Sequence, residues 1–234
     1  MDFNQATLVV TGAAGNLGRG VAQAFAAQGA RLVLVDLHRA GLERAYGSEN
    51  DKSLFAPCNL LDQPQVDAMV KAAMARFGRI DVLCNIAGGF RMGEPVHEVG
   101  DANWNFLFDI NARTLLHAAR AVVPRMLAGG SGKIINIGAY AAQKGAAQMG
   151  PYSAAKSAVI RLTEAMAAEL REKNINVNCL LPTIIDTPEN RAAMPDADPA
   201  RWVAVADLAA TIVFLASDAA RAIHGAAIPI TGLS

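Results

Sequence analysis

Tyr152 and Lys156 stand four residues apart in the stretch GPYSAAKSAV, a spacing that puts both side chains on one face of a helix. A phenol beside an ammonium can deliver and receive protons. A free tyrosine has a pKa of about 10, too high for ready exchange near neutrality. A nearby ammonium favours the phenolate and lowers that value. The same lysine could bind the hydroxyls of a ribose. Asn111 is a third polar candidate. It falls in an apolar helical stripe of Trp104, Leu107 or Phe108, Leu115, Ala118 and Val122. A buried amide needs hydrogen-bond partners, so Asn111 either ties down a neighbouring backbone or serves a site.

The segments that must position these groups begin at the N-terminus. Thr7 to Val10 is a short apolar run, as expected of a strand buried on both faces. The loop TGAAGNLG follows at once, with Gly12, Gly15, Asn16, Leu17 and Gly18, and Val21, Ala24, Phe25 and Gln28 continue at helical spacing. Leu32 to Val35 is a second strand, closed by Asp36. Strand, glycine loop, helix, strand and acid together form a dinucleotide-binding unit. The glycines allow close approach of a pyrophosphate to the helix N-terminus, and Asp36 can accept hydrogen bonds from the adenosine ribose. Asp36 would repel a 2′-phosphate, so NAD is the expected cofactor. NADP is the alternative, because His38 and Arg39 lie just beyond.

The alternation repeats. Leu54 to Ala56 reads as a strand leading to Asn59-Leu60, and Asp62 can cap a helix with Val66, Met69, Val70, Ala73 and Phe77 on one stripe. Asp81 to Cys84 is a strand ending in Asn85-Ile86-Ala87-Gly88-Gly89-Phe90. Small residues there permit a cofactor to approach the strand ends. Asp101 can cap the helix that carries Asn111. Ile134 to Ile137 is the fifth strand, 152–172 a helix, Ile175 to Leu181 the sixth strand, Leu208 to Ala216 a helix and Ala226 to Ile230 the last strand. Residues 182–206 hold four of the ten prolines and room for only a short helix at Thr187 to Met194, so they read as a substrate lid. The expected architecture is one α/β domain over 1–234. It has a doubly wound parallel sheet of about seven strands with helices on both faces, and the ligand lies across the strands' C-terminal ends.

Composition narrows the partners. The 234 residues carry 21 basic and 21 acidic side chains, which gives no electrostatic reason to expect nucleic acid or an anionic membrane. No apolar run approaches the length of about 18 residues that a membrane span needs. The N-terminus lacks a basic signal region, so a cytoplasmic location is expected. Cys58, Cys84 and Cys179 lie far apart without metal-ligand spacing, and no metal is expected.

Thr11–Gly18, the Asn85–Gly88 turn, Asn111, Tyr152, Lys156 and the Pro182 to Thr187 segment resemble the short-chain dehydrogenase/reductase family, in order and along the whole chain. The resemblance implies a Rossmann-type fold. It makes Tyr152 the general acid or base, Lys156 its pKa modifier and nicotinamide-ribose ligand, and Asn111 the anchor of a relay water. It places Asn59 and Leu60 at the adenine. Asn85, Ala87, Gly88, Pro182, Ile185 and Thr187 fall along the cofactor, with Thr187 on the nicotinamide side. It also suggests a homodimer or homotetramer packed through the 101–128 and 152–172 helices.

The family places a serine thirteen residues before the tyrosine, where this chain has Ala139. Losing an oxyanion donor can cost about 10²–10³ in rate. Tyr140 and Thr183 are candidate replacements. The dihydropteridine reductase branch naturally has Gly-Ala at this place. It is also similar in Ala87-Gly88-Gly89 followed by an aromatic, here Phe90, and in the run Leu181-Pro182 to Trp202. The leading expectation is therefore NADH-dependent reduction of a quinonoid dihydropterin or a similar conjugated compound. Tyr152 would donate the proton, and Phe90, Ala139, Tyr140 and Thr183 would line the substrate. The alternative is a carbonyl or alcohol oxidoreductase with a substituted donor. A nucleotide-binding regulator without turnover is the third class.

Overall fold

In the computed structural model, which describes residues 2–234, seven strands form one parallel sheet. They are β1 (Thr7–Thr11), β2 (Arg31–Asp36), β3 (Ser53–Pro57), β4 (Val82–Asn85), β5 (Gly132–Ile137), β6 (Ile175–Pro182) and β7 (Ala227–Ile230). Their spatial order is β3-β2-β1-β4-β5-β6-β7. The chain builds outward from β1 to β3, then crosses back to place β4 against the other side of β1. Loops leaving β1 and β4 therefore diverge at one crevice, the switch point where such sheets bind ligands.

The helices are α1 (Asn16–Ala27), α2 (Arg39–Tyr46), α3 (Gln63–Phe77), α4 (Asp101–Phe108), α5 (Thr114–Gly129), α6 (Gly150–Leu170), α7 (Pro188–Ala193) and α8 (Val205–Ala216). On one sheet face Leu8, Val10, Leu32 and Leu34 pack with Val21 and Phe25 of α1 and Leu208 and Ile212 of α8. On the other, Val9, Val33, Leu83 and Ile134 pack with Val66 and Val70 of α3 and Val122 of α5. Alternation of side chains along doubly covered strands explains why these strands read as continuous apolar runs. Asp62 caps α3 as expected, accepting from the Gln65 N–H at 3.3 Å.

Three local readings change. The expected single helix carrying Asn111 is broken by a π turn at Asp109–Arg113 between α4 and α5. Gly100, not Asp101, holds the cap position of α4. Trp104 is half exposed and stacks on Phe108 with ring centroids 4.4 Å apart, because the π turn shifts the phase of the stripe. Helix α2, which has no long apolar stripe, went unread in the sequence. Its Tyr46 hydroxyl donates to the carbonyl of Ala13 at 2.7 Å and so braces the glycine loop.

The 182–206 segment is pinned at its base. Asp186 N–H donates to Val203 O at 2.8 Å and Val203 N–H to Ile184 O at 2.9 Å. The short helix expected near Thr187 is α7, with the Thr187 hydroxyl accepting from Asn190 N–H at 3.2 Å. Among the described residues, no helix is long and apolar enough to cross a membrane, and no cluster of three or more His, Cys, Asp or Glu could hold a metal.

Candidate active site

Thr11 ends β1 and joins it to the β4 loop. Its hydroxyl accepts from the N–H groups of Ile86 at 2.9 Å and Ala87 at 3.1 Å. The next residue, Gly12, has φ +65°, and a Cβ there would sit 3.0 Å from the Ala87 backbone. The two loops at the switch point thus touch backbone to backbone. Helix α1 then starts at Asn16 with Gly15 as its cap and no side-chain hydrogen bond to its first N–H groups. Those groups are left for an anion.

Asp36 sits at the end of β2 with its carboxylate on the glycine loop. Oδ2 accepts from Ala14 N–H at 2.9 Å and Oδ1 from Leu37 N–H at 2.8 Å. Arg39, the cation that could have welcomed a 2′-phosphate, is drawn elsewhere. Its guanidinium pairs with Glu43 at 2.9 Å and Glu49 at 3.1 Å. Asn59 is exposed, and its Oδ1 accepts from Leu61 N–H at 3.0 Å. Leu60 is buried, and its carbonyl meets His117 Nδ1 at 2.9 Å. His117 was not singled out in the sequence, where nothing marks an isolated histidine as a partner of that turn.

Asn85 faces the sheet interior. Its Nδ2 donates to Asn136 Oδ1 at 2.8 Å, and Asn136 in turn donates to the Thr163 hydroxyl at 2.8 Å. This buried chain links β4, β5 and α6 and gives Asn85 a bracing role, while its Oδ1 has no partner within the protein.

Lys156, Asn111 and Gly88 meet behind the crevice. Lys156 is buried and donates to Ile137 O at 2.8 Å. A Cβ on Gly88 would lie 2.9 Å from Asn111 Oδ1 and 3.3 Å from Lys156 Nζ, so only glycine leaves the two groups their space. The Asn111 amide is fully engaged with backbone. Gly89 N–H donates to its Oδ1 at 3.1 Å, and its Nδ2 donates to Gly89 O at 2.9 Å and Leu107 O at 3.0 Å. Its side chain fixes the β4 loop, and the π turn is what aims it there.

Tyr152 lies in the first turn of α6, with the Phe90 ring edge-on at 4.8 Å between centroids. Burial pushes its phenol up to about 12, and burial brings Lys156 down to about 8 against the opposing pull of Cys179. Burial thus outweighs any pull of the Lys156 ammonium on the phenol. The ammonium points at Ile137 O, and loss of solvent dominates at the phenol.

Ala139 is buried at the end of β5, and the replacement donors fare differently. The Thr183 hydroxyl donates to Thr231 O at 3.0 Å and shares a hydrogen bond with the Ser234 hydroxyl at 2.9 Å. The chain's last residues thus take up this hydroxyl. Tyr140 is half exposed in the short turn after Ala139. Ile185 lies at the base of the 182–206 segment, where its carbonyl accepts from Asn190 Nδ2 at 2.8 Å, and Pro182 closes β6.

Glycine loop, acid at the end of β2, and a Tyr-Lys-Asn group across the switch point together define a nucleotide-dependent dehydrogenase class. The short chain dehydrogenase profile matches residues 6–198, and the chain belongs to that family. It is 34% identical to D-threitol dehydrogenase of Mycolicibacterium smegmatis, covering 96% of this chain and 90% of that protein. It is 32% identical to cis-4-hydroxycyclohexanecarboxylate dehydrogenase of Sinomonas cyclohexanicum, covering 98% and 96%. The structure of NAD+-bound xylitol dehydrogenase superposes with a TM-score of 0.89 and 28% identity, over 99% of this chain and 100% of that one.

Proposed function

We propose that this oxidoreductase interconverts a secondary alcohol and its ketone with NAD, using Tyr152 as the acid–base group. The observation that carries this is the convergence of Lys156 and Asn111 on Gly88, one turn from Tyr152 and beside the glycine loop. The residues present fit a dinucleotide: the Gly12–Ala87 contact leaves a cradle that a Cβ would fill, and α1 presents uncapped N–H groups. Gly12 to Gly18 would hold the pyrophosphate, Asp36 the adenosine ribose, Lys156 the second ribose, and Ile185 and Thr187 the nicotinamide side. The engagement of Arg39 with Glu43 and Glu49 supports NAD over NADP. When bound, NAD would supply the hydride acceptor in oxidation and, as NADH, the hydride donor in reduction. Tyr152 takes the hydroxyl proton in oxidation and returns it in reduction. Asn111 acts through Gly89, and its backbone carbonyl would anchor a relay water.

The relatives above act on alcohols, and none is a pterin reductase. Ala139, Phe90 after Gly88-Gly89 and the Leu181 to Trp202 run still favour a flat conjugated substrate that needs no second oxygen donor. Half-exposed Trp104, Leu116 and Leu127 on α4 and α5 support a homodimer or homotetramer packed through that face. The deciding experiment is a panel of secondary alcohols with NAD+ and NADP+, and of ketones and quinonoid dihydropterin with NADH. Alcohol turnover with NAD+ is expected. Pterin reduction without alcohol or ketone turnover would overturn the reading.

A further inference from the structure

The segment from Phe90 to Val96, FRMGEPV, sorts its side chains by polarity. Its two charged members are turned onto α4 and its loop. Arg91 lies over the Phe106 ring, 3.6 Å from the centroid, and Glu94 accepts from Asn103 Nδ2 at 3.1 Å. Its apolar members are left uncovered: Phe90 is 55% exposed, Met92 53% and Val96 72%. These residues lie beside the proton-transfer group. The Phe90 ring touches that of Tyr152 at 4.8 Å. Val96 covers Gly150 at the start of α6 so closely that a Cβ there would meet its Cγ2 at 2.7 Å. Gly93 N–H donates to Gln148 O at 3.0 Å, fixing the segment to the loop that follows Tyr140.

Four of the hydroxyl and amide groups around the same mouth are already committed, while the buried Ser153 hydroxyl is not. Thr183 bonds the tail, Ser157 donates to Ala142 O at 2.8 Å, Thr187 caps α7 and Asn111 holds Gly89. Ala139 offers no hydroxyl at all. Around Tyr152, Tyr140 supplies a phenol, and Gln143, Lys144 and Gln148 are exposed at the rim. A polyol exchanges many hydrogen bonds with water on binding and needs protein partners for each. An apolar ring needs only surface to bury. The family includes dehydrogenases named for both kinds of alcohol, so family membership alone leaves the choice open.

We propose that the substrate is a cyclic, largely apolar secondary alcohol or its ketone, seated against Phe90, Met92 and Val96, and not a polyol. This rests on the alcohol–ketone reading above. In the oxidative direction the carbinol C–H bond breaks, its hydride passes to NAD+, and the O–H bond breaks with its proton passing to the Tyr152 phenolate, leaving the C=O bond. The alcohol loses two electrons to become a ketone.

The test compares kcat/KM for cyclohexanol and sorbitol with NAD+, in the native chain and in Phe90→Ala. It adds calorimetry of cyclohexanone binding to protein saturated with NAD+, which needs no turnover. A preference of about 100-fold for cyclohexanol is expected, together with a negative heat-capacity change on cyclohexanone binding. Phe90→Ala should raise KM for cyclohexanol about tenfold while kcat stays within about threefold, the signature of lost uniform binding. Sorbitol turned over as well as cyclohexanol, or cyclohexanol kinetics unchanged in Phe90→Ala, would overturn this proposal and leave the alcohol–ketone reading standing. No turnover of either alcohol, in protein that binds NAD+, would overturn that reading itself.

Discussion

Glu189 on α7 accepts a hydrogen bond from Asn16 Nδ2 at 2.6 Å, joining the 182–206 segment to the first residue of α1. Arg19 completes the group by donating to Asn16 Oδ1 at 2.6 Å. A carboxylate thus lies beside the helix terminus where a pyrophosphate would sit, and the two negative charges oppose each other. Glu189→Gln is expected to tighten NAD+ binding by about three- to tenfold and to weaken its salt dependence. Calorimetric titration at two ionic strengths measures both, and unchanged or weaker binding would count against a repulsive role.

Tyr152→Phe keeps the ring against Phe90 and removes only the hydroxyl. Turnover is expected to fall by about 10²–10⁴, while the Kd for NAD+ stays within a few-fold. Steady-state kinetics beside calorimetry separates the two. Turnover that survives would require another proton carrier.

Burial holds the Tyr152 phenol at about 12 and Lys156 at about 8. Oxidation needs the deprotonated phenol and reduction the protonated one. While the phenol's pKa stays above the working pH, each unit of pH raises the phenolate fraction about tenfold. Oxidation kcat/KM should therefore keep climbing between about pH 6 and 9, with no bend until the phenol itself titrates. Reduction should stay flat over the same range. An oxidation profile flat across that window would mean that a different group sets the protonation step.

Ala139→Ser restores a hydroxyl thirteen residues before Tyr152, at a buried position on the end of β5. For a site that works on ketones, a second donor to the substrate oxygen should raise reduction about tenfold or more, as a share of what an oxyanion donor contributes. For a conjugated substrate little change is expected. The ratio of the two activities before and after substitution is the readout.

All three cysteines are buried and free. Burial pushes Cys58 and Cys179 up to about 11 and Cys84 higher still. A thiolate-seeking reagent at about pH 8 should leave the folded protein unmodified and titrate every thiol once denaturant is added. Fast labelling of the native protein would show that a strand end opens.

The glycine loop, Asp36 and the Tyr152–Lys156 pair were legible because each rests on spacing within one short segment. The strands were legible because double burial leaves uninterrupted apolar runs. What escaped depends on contacts between distant segments. Nothing near Thr183 announces that Thr231 and Ser234 will take its hydroxyl, and nothing near Glu189 announces Asn16. The direction of the lysine ammonium escaped for a related reason. Spacing sets which face a lysine shares, whereas the Ile137 carbonyl decides where its ammonium points. The π turn escaped because one extra residue moves the stripe by a single step, so Leu107, Leu115 and Val122 still look periodic on either side.

That extra residue is also a statement about insertion and deletion. An unbroken helix from α4 to α5 would satisfy its backbone more regularly, and losing one residue from Asp109–Arg113 is all that it requires. The shortened chain would keep its sheet and core. Its asparagine, rotated off Gly89, would release the β4 loop from the place where Lys156 and the glycine loop meet. The count of residues in one helix, down to a single residue, thus sets where the Asn111 amide meets the β4 loop.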